Sequence, residues 1–160
     1  MPLVKIKTNF RNKKLYPNIL PEYAFPLDSG MDLRADIPES EIIRPSTVLG
    51  VPTGLSVALS EPPEDETNEW VWELQIRPRS GLAARYGITV VNSPGTVDTG
   101  YTGELKVLLL NTYLDPYVVN PGDRIAQLVL SKSYRIQWQL ELDLPETDRN
   151  SGGFGSTGKK

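Results

Sequence analysis

The chain has 160 residues, 39% of them apolar, with 17 basic and 20 acidic side chains and a formal net charge of -3; it is long enough for one sizeable core, and it lacks the bulk positive charge that would hold duplex nucleic acid. It contains neither Cys nor His, which excludes thiol nucleophiles, disulfides, Cys or His zinc sites and imidazole bases, so a catalytic base must come mainly from carboxylate, Lys or Tyr. Met1–Lys14 lacks the continuous apolar region of a secretory signal, and no stretch of 18 apolar residues exists, so a cytoplasmic or otherwise soluble intracellular setting is expected, with no membrane and no nucleic-acid partner.

Short runs rich in Val, Ile, Leu and aromatics, punctuated by 14 Pro and 13 Gly, have the texture of an all-β sandwich or barrel. In chain order the expected strands are Leu3–Lys7, Met31–Ala35, Ile42–Leu49, Gly54–Leu59, Val71–Ile76, Ile88–Val91, Leu105–Asn111, Val118–Val119, Ile125–Ser133 and Arg135–Leu140. Pro78–Gly87 reads as a brief helical turn. The acidic run Glu61–Glu69, with Pro62 and Pro63 inside it, reads as a solvated connection between strands. The last stretch, Asp148–Lys160, has Phe154 as its one core-forming residue and is not expected to pack as a strand by itself. Its composition allows a frayed terminus, or an aromatic platform beside the anion-binding donors Arg149, Ser156 and Thr157.

Four glycine-containing clusters interrupt the strand pattern: Ser29–Ala35, Arg77–Gly87, Gly95–Glu104 and Pro121–Gln127. In the third, the glycines permit close backbone approach, while Asp98 and Tyr101 offer a base and a flat face. Arg77-Pro78-Arg79-Ser80-Gly81 combines guanidinium groups, a hydroxyl and free N–H groups, a mixture suited to phosphate oxygens. A bound polyphosphate would need a cation, and Asp32 stands where it could hold one through water. The glycine spacings are neither those of a Walker loop nor those of a dinucleotide fingerprint.

Read in order, the segments SGMDLRA (29–35), PRSGLA (78–83), GTVDTGYTGE (95–104), GDRIAQL (122–128) and RNSGGFGSTG (149–158) resemble the five ordered motifs of the trimeric dUTPase family, spanning about four fifths of the chain. The resemblance implies a jelly-roll-like β-clip fold and a homotrimer with active sites shared between subunits. It divides the chain into a β domain over 1–147 and a flexible arm over 148–160 that closes a site made by other subunits. The implied reaction is magnesium-dependent hydrolysis of dUTP to dUMP and pyrophosphate, limiting uracil in DNA and supplying dUMP for dTMP synthesis. By likeness, Asp98 deprotonates the attacking water, Tyr101 packs on deoxyribose, and the backbone from Gly95 through Thr96 and Val97, with Asn92, reads uracil. Ser80 and Gly81, supported by Arg79, and Gln127 hold the phosphates. Asp32 holds Mg2+ through water, and Asp123 is a structural partner for a nearby Arg. Phe154 covers the base, Arg149, Ser156 and Thr157 hold the γ-phosphate, and Gly155 between them belongs to the substrate-binding arm.

Two positions depart from the family pattern: Gly100, where an acidic residue often precedes the Tyr, and Asn150, where Gly commonly follows the Arg. A related dCTP deaminase would need a Glu at the position of Leu108, and leucine cannot shuttle protons. A binding or regulatory module that keeps the pocket without turnover is a further reading; magnesium-supported hydrolysis separates it from an enzyme.

Overall fold

The computed structural model describes residues 4–11, 20–62 and 69–153. Ten strands and one helix follow in the order β1 (Val4–Thr8), β2 (Met31–Arg34), β3 (Glu41–Ile43), β4 (Val48–Leu59), β5 (Trp70–Arg77), α1 (Ser80–Tyr86), β6 (Ile88–Val90), β7 (Gly95–Asp98), β8 (Glu104–Asn111), β9 (Tyr117–Val119) and β10 (Arg124–Tyr134). They form three sheets, ordered β1-β4-β8-β6, β2-β10-β5-β7 and β3-β9, with antiparallel pairing throughout. This is the jelly-roll-like, β-clip architecture expected of the sequence.

Alternation explains the layering. Along β8, Leu105, Val107 and Leu109 turn inward while Lys106 and Leu108 face out, as the period of two dictates. One apolar cluster draws on every strand from β2 to β10, including Leu33, Ile43, Leu55, Leu74, Ile88 and Ile125. Each fully buried Leu or Ile contributes about 1.5–3 kcal/mol. Among the described residues no helix is long and apolar enough to cross a membrane.

The register of β10 positions the site. Gln127 lies opposite Asp32 of β2 on one side and opposite Arg77 of β5 on the other, so three polar residues form one row across three strands. Four residues back along β5 from Arg77, Glu73 lies opposite Asp98 of β7. A hydrogen-bonded rail joins the two rows: Arg77 Nη2 donates to Gln75 Oε1 at 2.6 Å, and Gln75 Nε2 donates to Glu73 Oε1 at 2.6 Å.

Several elements differ from expectation. The single strand Ile42–Leu49 is broken, because Pro45 and Ser46, at φ 56, turn the chain between β3 and β4. The separate strand Gly54–Leu59 is the second half of a twelve-residue β4; its register on β8 shifts between Pro52 and Ser56 without ending the strand. The helical turn at Pro78–Gly87 is a full helix, closed by Gly87 at φ 64, whose N–H caps it. Gly95–Asp98, read as part of a loop, pairs with β5 as a strand. The strand expected at Arg135–Leu140 does not form, since β10 ends at Tyr134. The acidic connection lies outside the described residues from Pro63 to Asn68.

Candidate active site

Two hollows gather the polar clusters. The first, about 420 Å³, is a cleft lined by Asp32, Arg79, Ser80, Gly81, Arg124 and Gln127, together with Glu22, Asp28 and Gly30. Asp32 anchors it: Arg79 Nε stands 2.9 Å from Oδ1 and Arg124 Nη1 3.2 Å from Oδ2. Arg79 also donates through Nη1 to the Arg124 carbonyl at 3.2 Å. Gln127 Nε2 donates to the Pro78 carbonyl at 2.9 Å, fastening the loop before α1 to β10. Gly30 permits this packing, because a Cβ there would sit 2.5 Å from Gln127 Oε1. Cationic forks, a hydroxyl and amide groups around an open, polar cleft suit an oxyanion ligand carrying several charges.

The second hollow, about 510 Å³, lies along β7, the turn after it and β8, and is lined by Asn92, Gly95, Thr96, Val97, Asp98 and Tyr101 together with Ile76, Glu104, Leu105, Lys106 and Leu108. Asp98 and Tyr101 close one turn, with the Tyr101 N–H donating to the Asp98 carbonyl at 3.0 Å. The Tyr101 hydroxyl donates to the Glu104 carbonyl at 3.0 Å, and the Thr99 hydroxyl donates to the Trp72 carbonyl. The Asp98 carboxylate is exposed. A flat ring, a reachable carboxylate and a strand edge of peptide groups suit a planar, hydrogen-bonding ligand joined to a sugar.

Among the described residues none lines both hollows. The five expected residues of the third cluster, with Asn92, converge on one cavity, and Asp32, Arg79, Ser80, Gly81 and Gln127 converge on the other. Arg149 lines neither; its Nε donates to the Gly152 carbonyl within its own turn at 2.9 Å. Phe154, Gly155, Ser156 and Thr157 lie outside the described residues. Asp123 accepts from the Asn120 N–H at 2.8 Å through Oδ2, bracing the turn before β10; among the described residues its side-chain contact is with this turn, a structural one.

Arg124 is the cleft residue that sequence reasoning missed. A three-residue spacing would put Arg124 and Gln127 on opposite faces of a regular strand. The register shift between Arg124 and Ala126 brings both into one cleft. Glu104 was quoted in a motif but given no role; bidentate pairing with Arg11 holds its carboxyl below the usual range.

Among the described residues no three acidic side chains gather into a metal cage, and each Asp32 oxygen already meets a guanidinium. That donor set does not suit direct coordination by protein alone. It does suit a hydrated Mg2+ shared with ligand phosphates, because a carboxylate oxygen keeps further lone pairs for water and Mg2+ retains much of its water shell.

A model of the dUTPase family matches residues 17–158. The chain belongs to the dUTPase family. It is 50% identical over 139 residues to the deoxyuridine 5'-triphosphate nucleotidohydrolase of Rickettsia bellii, covering 87% of each chain. To the protein of that name from Rickettsia rickettsii it is 44% identical over 153 residues, covering 94% of this chain and 97% of the other. The fold is similar to that of a dUTPase mutant from Staphylococcus bacteriophage 80alpha solved with dUpNHpp, with a TM-score of 0.77, 20% identity and 98% of each chain covered. It is also similar to a mutant dUTPase from phage phi11 of S. aureus, described for its coordination of a structural Mg(II) ion, with a TM-score of 0.70, 17% identity, and coverage of 90% of this chain and 99% of the other. As a dUTPase family member the chain is a hydrolase of nucleotide metabolism.

Proposed function

We propose that this protein hydrolyses dUTP to dUMP and pyrophosphate, as a homotrimer whose active sites each combine the nucleoside cavity of one subunit with the anion cleft of a second and the arm of a third. The observation that supports this reading is that one chain carries two separate hollows, one with a flat ring, a carboxylate and strand-edge peptide groups, the other with two guanidinium groups and a hydroxyl, which share no residue among those described. Neither half alone accommodates a nucleoside and its phosphates with the chemistry both require. Apolar side chains on alternate residues, Ile136, Trp138, Leu140, Leu142 and Leu144, are each at least 73% exposed; an uncovered stripe of this kind fits contact with further subunits.

In the assembled site, uracil meets the backbone of Gly95, Thr96 and Val97 with Asn92, and deoxyribose meets the Tyr101 ring. A ribose 2'-hydroxyl would clash there and lose its hydrogen bonds, which disfavours UTP. Asp98 accepts the proton of a water whose oxygen attacks the α-phosphorus; the bond from that phosphorus to the bridging oxygen breaks and pyrophosphate leaves with the electron pair. Ser80, the Gly81 N–H and Gln127 hold phosphate oxygens, while Arg79 fixes Asp32. Asp32 would hold Mg2+ through water, and the bound ion would neutralise phosphate charge during displacement. The magnesium described for the phage phi11 enzyme supports a divalent ion in this fold. Arg149, Phe154, Gly155, Ser156 and Thr157, in the arm 148–160, close the site and exclude water.

The deaminase alternative fares poorly. Leu108 lines the nucleoside cavity and offers no proton carrier, and Glu104 is engaged by Arg11 and by the Gly54 N–H. Pyrophosphate release is measured with dUTP, UTP, dTTP and dCTP in magnesium, alongside ammonia release from dCTP. Strong preference for dUTP is expected. Binding of dUTP without hydrolysis, or ammonia from dCTP, would overturn the reading.

A further inference from the structure

The register shift in β4 creates a backbone problem that three charged residues resolve. Between Pro52 and Ser56 the ladder with β8 is interrupted, and Gly54 takes φ 69. Its N–H donates to Glu104 Oε1 at 2.9 Å instead of to a strand carbonyl. A Cβ at position 54 would lie 2.7 Å from Asp36 Oδ2 and 2.6 Å from the Phe10 ring, so the bulge is packed tightly against both. Asp36 is 2% exposed, and two carboxylates therefore converge on one stretch of backbone.

Arg11 joins them. Its guanidinium pairs with both oxygens of Glu104, at 2.6 and 2.9 Å, and its Nη1 also reaches Asp36 Oδ2 at 3.0 Å. The Arg11 N–H contacts the two Asp36 oxygens at 3.1 and 2.9 Å, and the Asn9 N–H donates to the Gly54 carbonyl at 2.8 Å. The N-terminal segment is thereby latched across the bulge to the first residue of β8. Glu104 is also the residue whose carbonyl receives the Tyr101 hydroxyl, and it lines the nucleoside cavity.

We infer that Arg11 is a positioning residue for sugar selection: by pinning Glu104 it fixes the Tyr101 ring that forms the deoxyribose wall. The inference rests on the assignment of Tyr101 as that wall. Tyr101 is 47% exposed; the outer edge of its ring lies over Gly103, where an added Cβ would sit 2.5 Å from the hydroxyl, and the bond of that hydroxyl to the Glu104 carbonyl holds it in this place. Without the guanidinium, Glu104 and Asp36 are left facing each other across Gly54 without their shared cation, and the start of β8 loses its tether. A wall that yields no longer excludes a 2'-hydroxyl, while a deoxyribose still fits. Discrimination is thus lost before turnover.

The test compares R11Q, R11K and Y101A in the full chain, measuring kcat and KM for dUTP and UTP, with trimer state and thermal unfolding as controls. R11Q should lower the dUTP-to-UTP ratio of kcat/KM by about tenfold, while dUTP kcat changes by no more than about threefold. R11K keeps the charge but not the fork and should fall between R11Q and the parent. If Y101A lowers the ratio and R11Q leaves it unchanged, the inference is overturned, even where R11Q is less stable. If R11Q does not fold, R11K carries the same test, and an unchanged ratio in R11K overturns the inference. An unchanged ratio in Y101A removes the sugar-wall assignment itself and the inference with it.

Discussion

Replacing Gly30 by Ala isolates one contact of the anion cleft. The new Cβ would lie 2.5 Å from Gln127 Oε1 and 3.4 Å from its Cβ. Since 3.4 Å is where ordinary van der Waals contact begins, the amide must retreat by about 0.9 Å or rotate away. The Gln127 Cβ lies on β10, which is clamped between β2 and β5, so the movement falls on the side-chain torsions. Leaving a rotamer minimum costs about 0.5–1.5 kcal/mol, and losing the bond from Nε2 to the Pro78 carbonyl costs about 0.5–1.5 kcal/mol more. Both effects loosen the loop that carries Arg79, Ser80 and Gly81. A displacement worth about 1.4 kcal/mol in the transition state lowers kcat/KM about tenfold. Steady-state pyrophosphate release on G30A, with thermal unfolding in parallel, is the assay. The expected result is a fall in kcat/KM for dUTP of about tenfold or more with a folded trimer. G81A controls for folding alone: nothing lies within 4 Å of its added Cβ, so its thermal unfolding should match the parent's. Parental kinetics in G30A would refute the reasoning that Gln127 and the loop it holds act on the phosphates.

Other predictions concern the carboxylates. D98N, which keeps the side chain's volume but not its basicity, should lower turnover at least about 100-fold while leaving the trimer intact; near-parental turnover would remove Asp98 from the role of base. Glu104 has its carboxyl held below the ordinary 4.5 by the hydrogen bonds from Arg11, so it stabilises the fold above about pH 4.5 and loses that contribution as pH falls through the depressed folded value. The parent should therefore unfold at higher temperature than E104Q near neutral pH, with the gap narrowing below about pH 4.5. A gap equal at pH 7 and pH 3 would show that the ion pair is not its source.

Much of the fold was legible because burial follows alternation. Leu105, Val107 and Leu109 in β8, and Leu74 and Ile76 in β5, announce inward faces with a period of two. Alternation does not announce pairing. Ile136, Trp138 and Leu140 alternate as well as any core strand, yet they lie exposed beyond the end of β10. The reverse holds at Gly95–Asp98, where Pro94 and Gly95 resemble a turn and the strand exists because Ile76 to Glu73 offer it a ladder. In the candidate site, Asn92 and the five expected residues of the third cluster share one cavity because short hairpins keep sequence neighbours together. Arg124 escaped because a register shift, invisible in residue types, turns it toward Gln127. The link between Arg11 and Glu104 spans 93 positions in sequence, a distance over which spacing carries no signal.

The composite site is tested most directly by complementation between subunits. Chains truncated after Thr147 but retaining Asp98 are exchanged into trimers with full-length D98N chains, and dUTP hydrolysis is measured after exchange is verified by mass. Each parent trimer alone should be nearly inactive, the first for lack of the arm and the second for lack of the base. Mixed trimers should regain partial activity, because a full-length chain can lend its arm to a site whose Asp98 is intact. Verified mixed trimers as inactive as their parents would contradict a site assembled from different subunits.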